Sequence, residues 1–236
     1  MNSRLNFVLL VATVVMLLLV PAGGAQQAAQ GQSTSSSSSS SAQHARKPAS
    51  AAGLDAGSAS NGVYRNQSFG FACKIPAGWV LRTEEMNARE DDQAKSDGDK
   101  SAADAGKAGG VLLAAFSRPP QARGEDVNSS ILIAAESAEA YPGLKEAAQY
   151  LGPVTEVAQA QGLEVVNEPY EFVLGGKTVV RGDFQKDVGK RVMRQSTLVV
   201  LARGYVVSFT FIGGTEDEVE ELIDGLGFGA SRTPGR

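Results

Sequence analysis

The stretch EVVNEPYEFVLGGKTVVRGDFQKDVGKRVMRQSTLVVLARGYVVSFTFI, residues 164–212, decides the fold class. β-Branched and aromatic residues crowd it, and its breaks are short. Gly175-Gly176 is a two-residue hairpin signal, because both central positions of such a turn take positive φ. A second turn reads around Asp187 to Gly189, and a third at Arg203-Gly204. They separate four runs, 164–174, 177–186, 191–202 and 205–212. In the last run Tyr205, Val207, Phe209 and Phe211 fall on one face by period-two alternation. Strands joined in series by turns this short pair antiparallel.

Working outward, the same alternation appears at Phe69, Phe71, Cys73 and Ile75, with Gly70, Ala72 and Lys74 between them. Pro76-Ala77-Gly78 then turns the chain into a short strand at 79–83. Strands follow at 111–117 and 130–136. In the second of these Ile131 and Ile133 alternate with Leu132 and Ala134, so both faces are apolar and the strand is central. Leu144, Ala147, Ala148 and Leu151 mark one helix face opened by Pro142, and Gly152-Pro153 breaks it. Val154, Val157 and Ala158 form a second short stripe ending near Gly162. The chain closes on a helix capped by Thr215, with Glu218 three residues on and Val219, Leu222, Ile223 and Leu226 as its stripe. Gly225, Gly227 and Gly229 read as its stop.

The flanks differ in kind. Arg4, an apolar run from Phe7 to Val20, Pro21 and the small residues 22–25 form a secretory signal pattern over 1–25. Residues 26–61 are rich in Gln, Ala, Ser and Gly and read as a flexible linker. Residues 62–230 then form one α/β domain, with a charged, mobile loop at 84–110 and a disordered tail at 231–236. The expected compartment is periplasmic or extracellular, with membrane anchoring only if the signal stays uncleaved.

Composition narrows the chemistry. The chain has 236 residues, one Cys, one His and a formal net charge of −4. One Cys excludes a disulfide framework, and the lone His44 lies in the linker, away from any fixed geometry. Histidine-based triads lose their base, and a mildly acidic chain argues against nucleic acid. No cofactor and no metal are implied. Cys73 reads as a small buried hydrophobe or, alternatively, a reactive thiol. Glu136, Glu168, Glu171 and Asp183 are the carboxylates that a hydrolase would need to bring together. Arg181, Lys186, Lys190, Arg191 and Arg194 cluster around one hairpin, as a basic surface for an acidic partner or anionic lipid. The same charges also read as edge residues that block strand-to-strand aggregation. The sequons at Asn66 and Asn128 matter only in a host that glycosylates exported proteins.

Tyr64-Arg65-Asn66, Phe69-Gly70-Phe71 and Pro76-Ala77-Gly78-Trp79 resemble the opening of PsbP-like domains, and the later element order is similar from Gly62 to Phe228. Gly78 beside Trp79 and the charged segment after Thr83 depart from that pattern. The resemblance implies an α+β fold, a central antiparallel sheet with helices on both faces in an α/β/α sandwich, and a non-catalytic role. It carries over no functional residue. The expectation is therefore an exported, non-enzymatic module that binds an unidentified protein or envelope partner. The alternatives are a small-molecule or lipid pocket and, third, a carboxylate hydrolase.

Overall fold

The computed structural model describes residues 54–96, 109–119, 122 and 127–229. Signal, His44, most of the linker and the tail lie outside them. In chain order the strands are β1 (Ser58–Ser60), β2 (Val63–Asn66), β3 (Phe71–Lys74), β4 (Val80–Leu81), β5 (Gly109–Phe116) and β6 (Ser130–Ser137). After them come β7 (Glu164–Leu174), β8 (Lys177–Val188), β9 (Arg191–Ala202), β10 (Tyr205–Gly213) and β11 (Leu226–Phe228). Helices are α1 (Thr83–Ser96), α2 (Ala147–Ala160) and α3 (Glu216–Asp224).

The expected α+β class and antiparallel pairing are present, but the strands form two sheets. One has the order β1-β2-β3-β11; the other runs β4-β5-β6-β10-β9-β8-β7. The arrangement therefore differs from the α/β/α sandwich expected around one sheet. On one face of the larger sheet Ile133, Leu198, Phe209 and Phe211 meet Tyr64, Phe71 and Cys73 of the smaller sheet and Leu222 and Ile223 of α3. Phe71 and Phe209 pack edge to face at 4.9 Å. Each such buried ring contributes roughly 2–3 kcal/mol. On the other face Val180, Val199 and Val206 lie under Tyr150, Leu151 and Val157 of α2. Met86 of α1 shares a cluster with Leu132, Phe184 and Ile212. Cys73 is buried and its thiol is pushed up to about 12 by that burial, as a core hydrophobe requires.

Several boundaries depart from the expectation, among them the helix expected from Pro142, which begins at Ala147. Ordered structure is already present before Gly62: Tyr64 donates its hydroxyl to Ala56 O at 2.9 Å, and Asn66 Nδ2 donates to Asp55 O at 2.7 Å. The charged loop expected at 84–110 opens with α1. Met86 anchors that helix, and Asn87 exchanges two 2.9 Å hydrogen bonds with the backbone of Val111. Residues 97–108 lie outside the described residues. Helix α2 runs through Pro153 without breaking, because Tyr150 and Leu151 before it and Val157 and Ala158 after it are all buried. Strand β8 continues to Val188, leaving the turn to Gly189 and Lys190. The glycines after α3 flank a strand: β11 pairs with β3, placing Leu226 opposite Cys73.

The cap of α3 follows the reading at one end. Glu218 N donates to Thr215 Oγ1 at 3.1 Å. Its carboxylate reaches one residue further back than a capping box asks, accepting from Gly214 N at 2.8 Å.

Candidate functional site

Arg181 and Asp183 sit two apart on β8 and so share a face. Ser196 of β9 is the register partner of Asp183. Arg181 Nε donates to Asp183 Oδ1 at 2.8 Å, and its Nη2 donates to Ser196 Oγ at 3.0 Å and to Glu220 of α3. Tyr170 of β7 donates its hydroxyl to Asp183 Oδ2 at 3.3 Å. One guanidinium, 9% exposed, thus ties β8, β9 and α3 together, with β7 attached through Tyr170. Burial pulls its pKa down, but the bonds to Glu220 and Asp183 outweigh that and hold it above the ordinary arginine value. It is a fixed charge that moves no proton.

The five basic residues expected to share a surface are divided. Arg181 is interior and paired. Lys186 lies on the α2 side, where its ammonium donates to Gln161 O at 2.6 Å. Arg194 lies on the opposite face and bonds Gln185 of β8. Lys190 is in the turn and Arg191 opens β9, both exposed. The strand pleat separates them, since neighbouring positions point to opposite faces.

The four carboxylates do not converge either. Asp183 faces α3 through Arg181, while Glu136 of β6 faces α2 on the far side of the sheet. Glu168 and Glu171 are exposed on β7. Glu136 is buried and accepts hydrogen bonds from the hydroxyls of Tyr141 and Tyr150. Burial raises its pKa, and the two hydroxyls offset part of that rise. Burial, followed by the charge of Glu136, pushes both tyrosines upward. This triad holds the segment after β6 against α2, with the two rings packed edge to face at 5.2 Å. Both sequon asparagines are buried: Asn66 is engaged by Phe69 N and Asp55 O, and Asn128 by Ser117 and Arg118. Neither is available to a sugar in the folded chain. Among the described residues no group of three or more His, Cys, Asp or Glu is placed to hold a metal.

The feature that residue-by-residue reading passed over is β7 itself. Among the described residues it is the edge of the seven-stranded sheet, with β8 as its sole sheet neighbour. Every residue from Glu164 to Glu171 is exposed. Val165, Val166, Tyr170 and Val173 are among the exposed large hydrophobics, with Val173 at 67%. The sequence shows the strand, an 11-residue β-prone run ahead of the Gly175-Gly176 turn, but not that it lies at an edge, because the pattern is the same with or without a strand beside it. Apart from this edge, a groove of about 510 Å³ lies beside Trp79, lined by Ile75, Pro76, Leu81, the end of β1 at Ala59 and Ser60 and the turn at Asn61 and Gly62.

No family model and no curated protein matches the chain. Among solved structures, cyanobacterial PsbP from Synechocystis sp. is similar at a TM-score of 0.42 and 17% identity, over 70% of this chain and 91% of that one. LpqN of Mycobacterium tuberculosis, involved in cell envelope biogenesis there, is similar at 0.33 and 13%, over 68% and 83%. A Pseudomonas aeruginosa protein of unknown function is similar at 0.31 and 18%, over 43% and 68%. TM-scores and identities this low assign neither family nor function to this chain.

Proposed function

We propose that this chain is an exported, non-catalytic binding module of the PsbP-like kind that holds a protein partner along the β7 edge. The observation that carries the reading is the exposure of four large apolar side chains on a long strand that, among the described residues, has no strand on its outer side. An open edge templates pairing with another chain, and the bulges and Pro169 that guard such edges lie in the first half of β7, leaving 170–174 regular. The polar network behind the edge supports the same role. Arg181 fixes β8 and β9 to α3, and Tyr170 draws β7 against them. The edge is thereby presented on a rigid backing, which lowers the ordering cost of binding. Export rests on the signal pattern at 1–25, and the linker supplies reach. Among the described residues no helix is long and apolar enough to cross a membrane.

The test is position-specific crosslinking. A photoreactive residue replaces Val173 in the full chain, expressed in its own host, with Lys190 as the control position. The expected result is a discrete adduct from position 173 that is weaker or missing from 190. Equal labelling from both positions, or none above background, overturns the reading.

A further inference from the structure

We infer that the β7 edge takes an extended partner strand whose side chains alternate apolar and basic. The inference rests on the proposal that β7 is the binding edge, and adds the chemistry of what binds there.

Register decides where pairing is possible. Between Val165 and Tyr170 the β7–β8 ladder is irregular at two points, and Pro169, which has no N–H to donate, lies inside the second. From Tyr170 opposite Arg181 to Leu174 opposite Lys177 the ladder is regular. These five residues are the straight part of the edge, long enough for one added strand.

Their two faces differ. Tyr170, Phe172 and Leu174 point to one side by the pleat. Phe172 and Leu174 are partly buried and pack on the main core cluster, while Tyr170 remains 40% exposed. A strand laid beside them continues that apolar face with its own apolar residues. Glu171 and Val173 point to the other side, both exposed. With Glu164 and Glu168 the strand carries three exposed carboxylates, and from Glu164 to Leu174 it has no Lys or Arg. The cations of β8 are engaged elsewhere, Arg181 opposite Tyr170 with Asp183, Ser196 and Glu220. Lys177, across the hairpin from Leu174, holds its ammonium 5.5 Å from the Phe228 ring centroid, and Lys186 donates to Gln161 O. A basic residue on the partner, opposite Glu171, meets uncompensated negative charge. A second copy of this chain would bring the same carboxylates and no cation, so self-pairing doubles the charge instead of neutralising it.

The full chain is titrated into two fluorescein-labelled nine-residue probe peptides, one alternating lysine and valine, the other alternating glutamate and valine. The lysine probe is expected to bind the wild-type chain and to weaken as salt rises from about 50 to about 300 mM. Glu171→Lys should weaken it about tenfold, and Val173→Lys at least as much. Glu171→Lys should also gain affinity for the glutamate probe, a gain that a misfolded variant cannot produce. Equal binding of both probes, lost together in Val173→Lys, would overturn the basic chemistry and leave the edge as the binding surface. Binding of the lysine probe unmoved by either substitution, or no binding of either probe, overturns the inference. Crosslinking from position 173 then decides separately whether the edge binds anything. A concentration-dependent dimer in sedimentation, abolished by Val173→Lys, would overturn it in favour of a second copy.

Discussion

Glu136 holds a carboxylate inside the fold, with the hydroxyls of Tyr141 and Tyr150 both donating to it. Burial raises its pKa above the unfolded value of about 4.3. A carboxyl shifted upward favours its protonated form in the folded chain. The stability it contributes is complete below the unfolded pKa and is lost as pH rises through the folded pKa. Glu136→Gln keeps an acceptor for one hydroxyl and removes the titration. Its unfolding free energy should therefore gain on wild type as pH rises from about 4 to about 7. Urea unfolding of both chains across that range checks this, and a difference that stays constant with pH refutes it. Glu136 could be picked out in the sequence as a carboxylate closing an apolar strand. Its partners could not, because Tyr141 and Tyr150 come from the following turn and helix, and only packing brings their hydroxyls to one atom pair. The basic cluster shows the reverse. Arg181, Lys186 and Arg194 are close along the hairpin, yet β-pleating and a buried ion pair send them to different surroundings.

Helix α2 carries the sharpest conflict between local preference and packing. Pro153 lacks the N–H that would bond the carbonyl of Gln149, and its ring crowds that carbonyl, at a cost of about 3 kcal/mol in a helix interior. The helix continues because its buried stripe lies on both sides of the proline. Pro153→Ala should then stabilise the protein, by about 1–2 kcal/mol after allowing for the freer unfolded chain. Thermal denaturation checks it; a lowered Tm would show that the proline ring itself fills a contact the helix needs. Helix α3 is closer to the local reading: the Thr215 cap, the acidic first turn and the stripe Val219, Leu222 and Ile223 are as expected, while Leu226 passes into β11 and Glu218 bonds Gly214 N instead of closing the box. Helix α1 was hidden because its first-turn charges resemble a solvated loop. What decides it is Met86 in a pocket and Asn87 bonded to the backbone of β5, far away in sequence. Strand β11 was hidden for a similar reason: three residues between glycines carry no periodicity, and only β3 beside them makes a strand.

For the whole molecule the decisive segment is 54–61, which packs ahead of Gly62. Asp55 accepts from Gly57 N and Ser68 N, which lowers its pKa, the Gly57 bond first. Gly57, at φ +65°, lets the chain pass so close to Tyr64 that a Cβ there would meet its hydroxyl at 2.4 Å. A chain beginning at Leu54 should melt within about 2 °C of the full chain, since the contacts that order this segment are kept. One beginning at Gly62 should lose about 3 kcal/mol, because the Tyr64 hydroxyl and the buried Asn66 amide lose their carbonyl partners. Denaturant midpoints of the two truncations check this, and equal midpoints would place the folded boundary at Gly62. The four hairpin strands, their antiparallel order and the last helix were legible in the sequence, since alternation, short glycine turns and capping are local properties. That the strands split into two sheets, that residues 54–60 belong to the fold, and that β7 is the last strand of the larger sheet among the described residues were settled by tertiary structure alone. Sheet membership and edge exposure depend on which distant strand lies alongside, and a linear pattern of apolar and polar residues looks the same whether or not a neighbour is there.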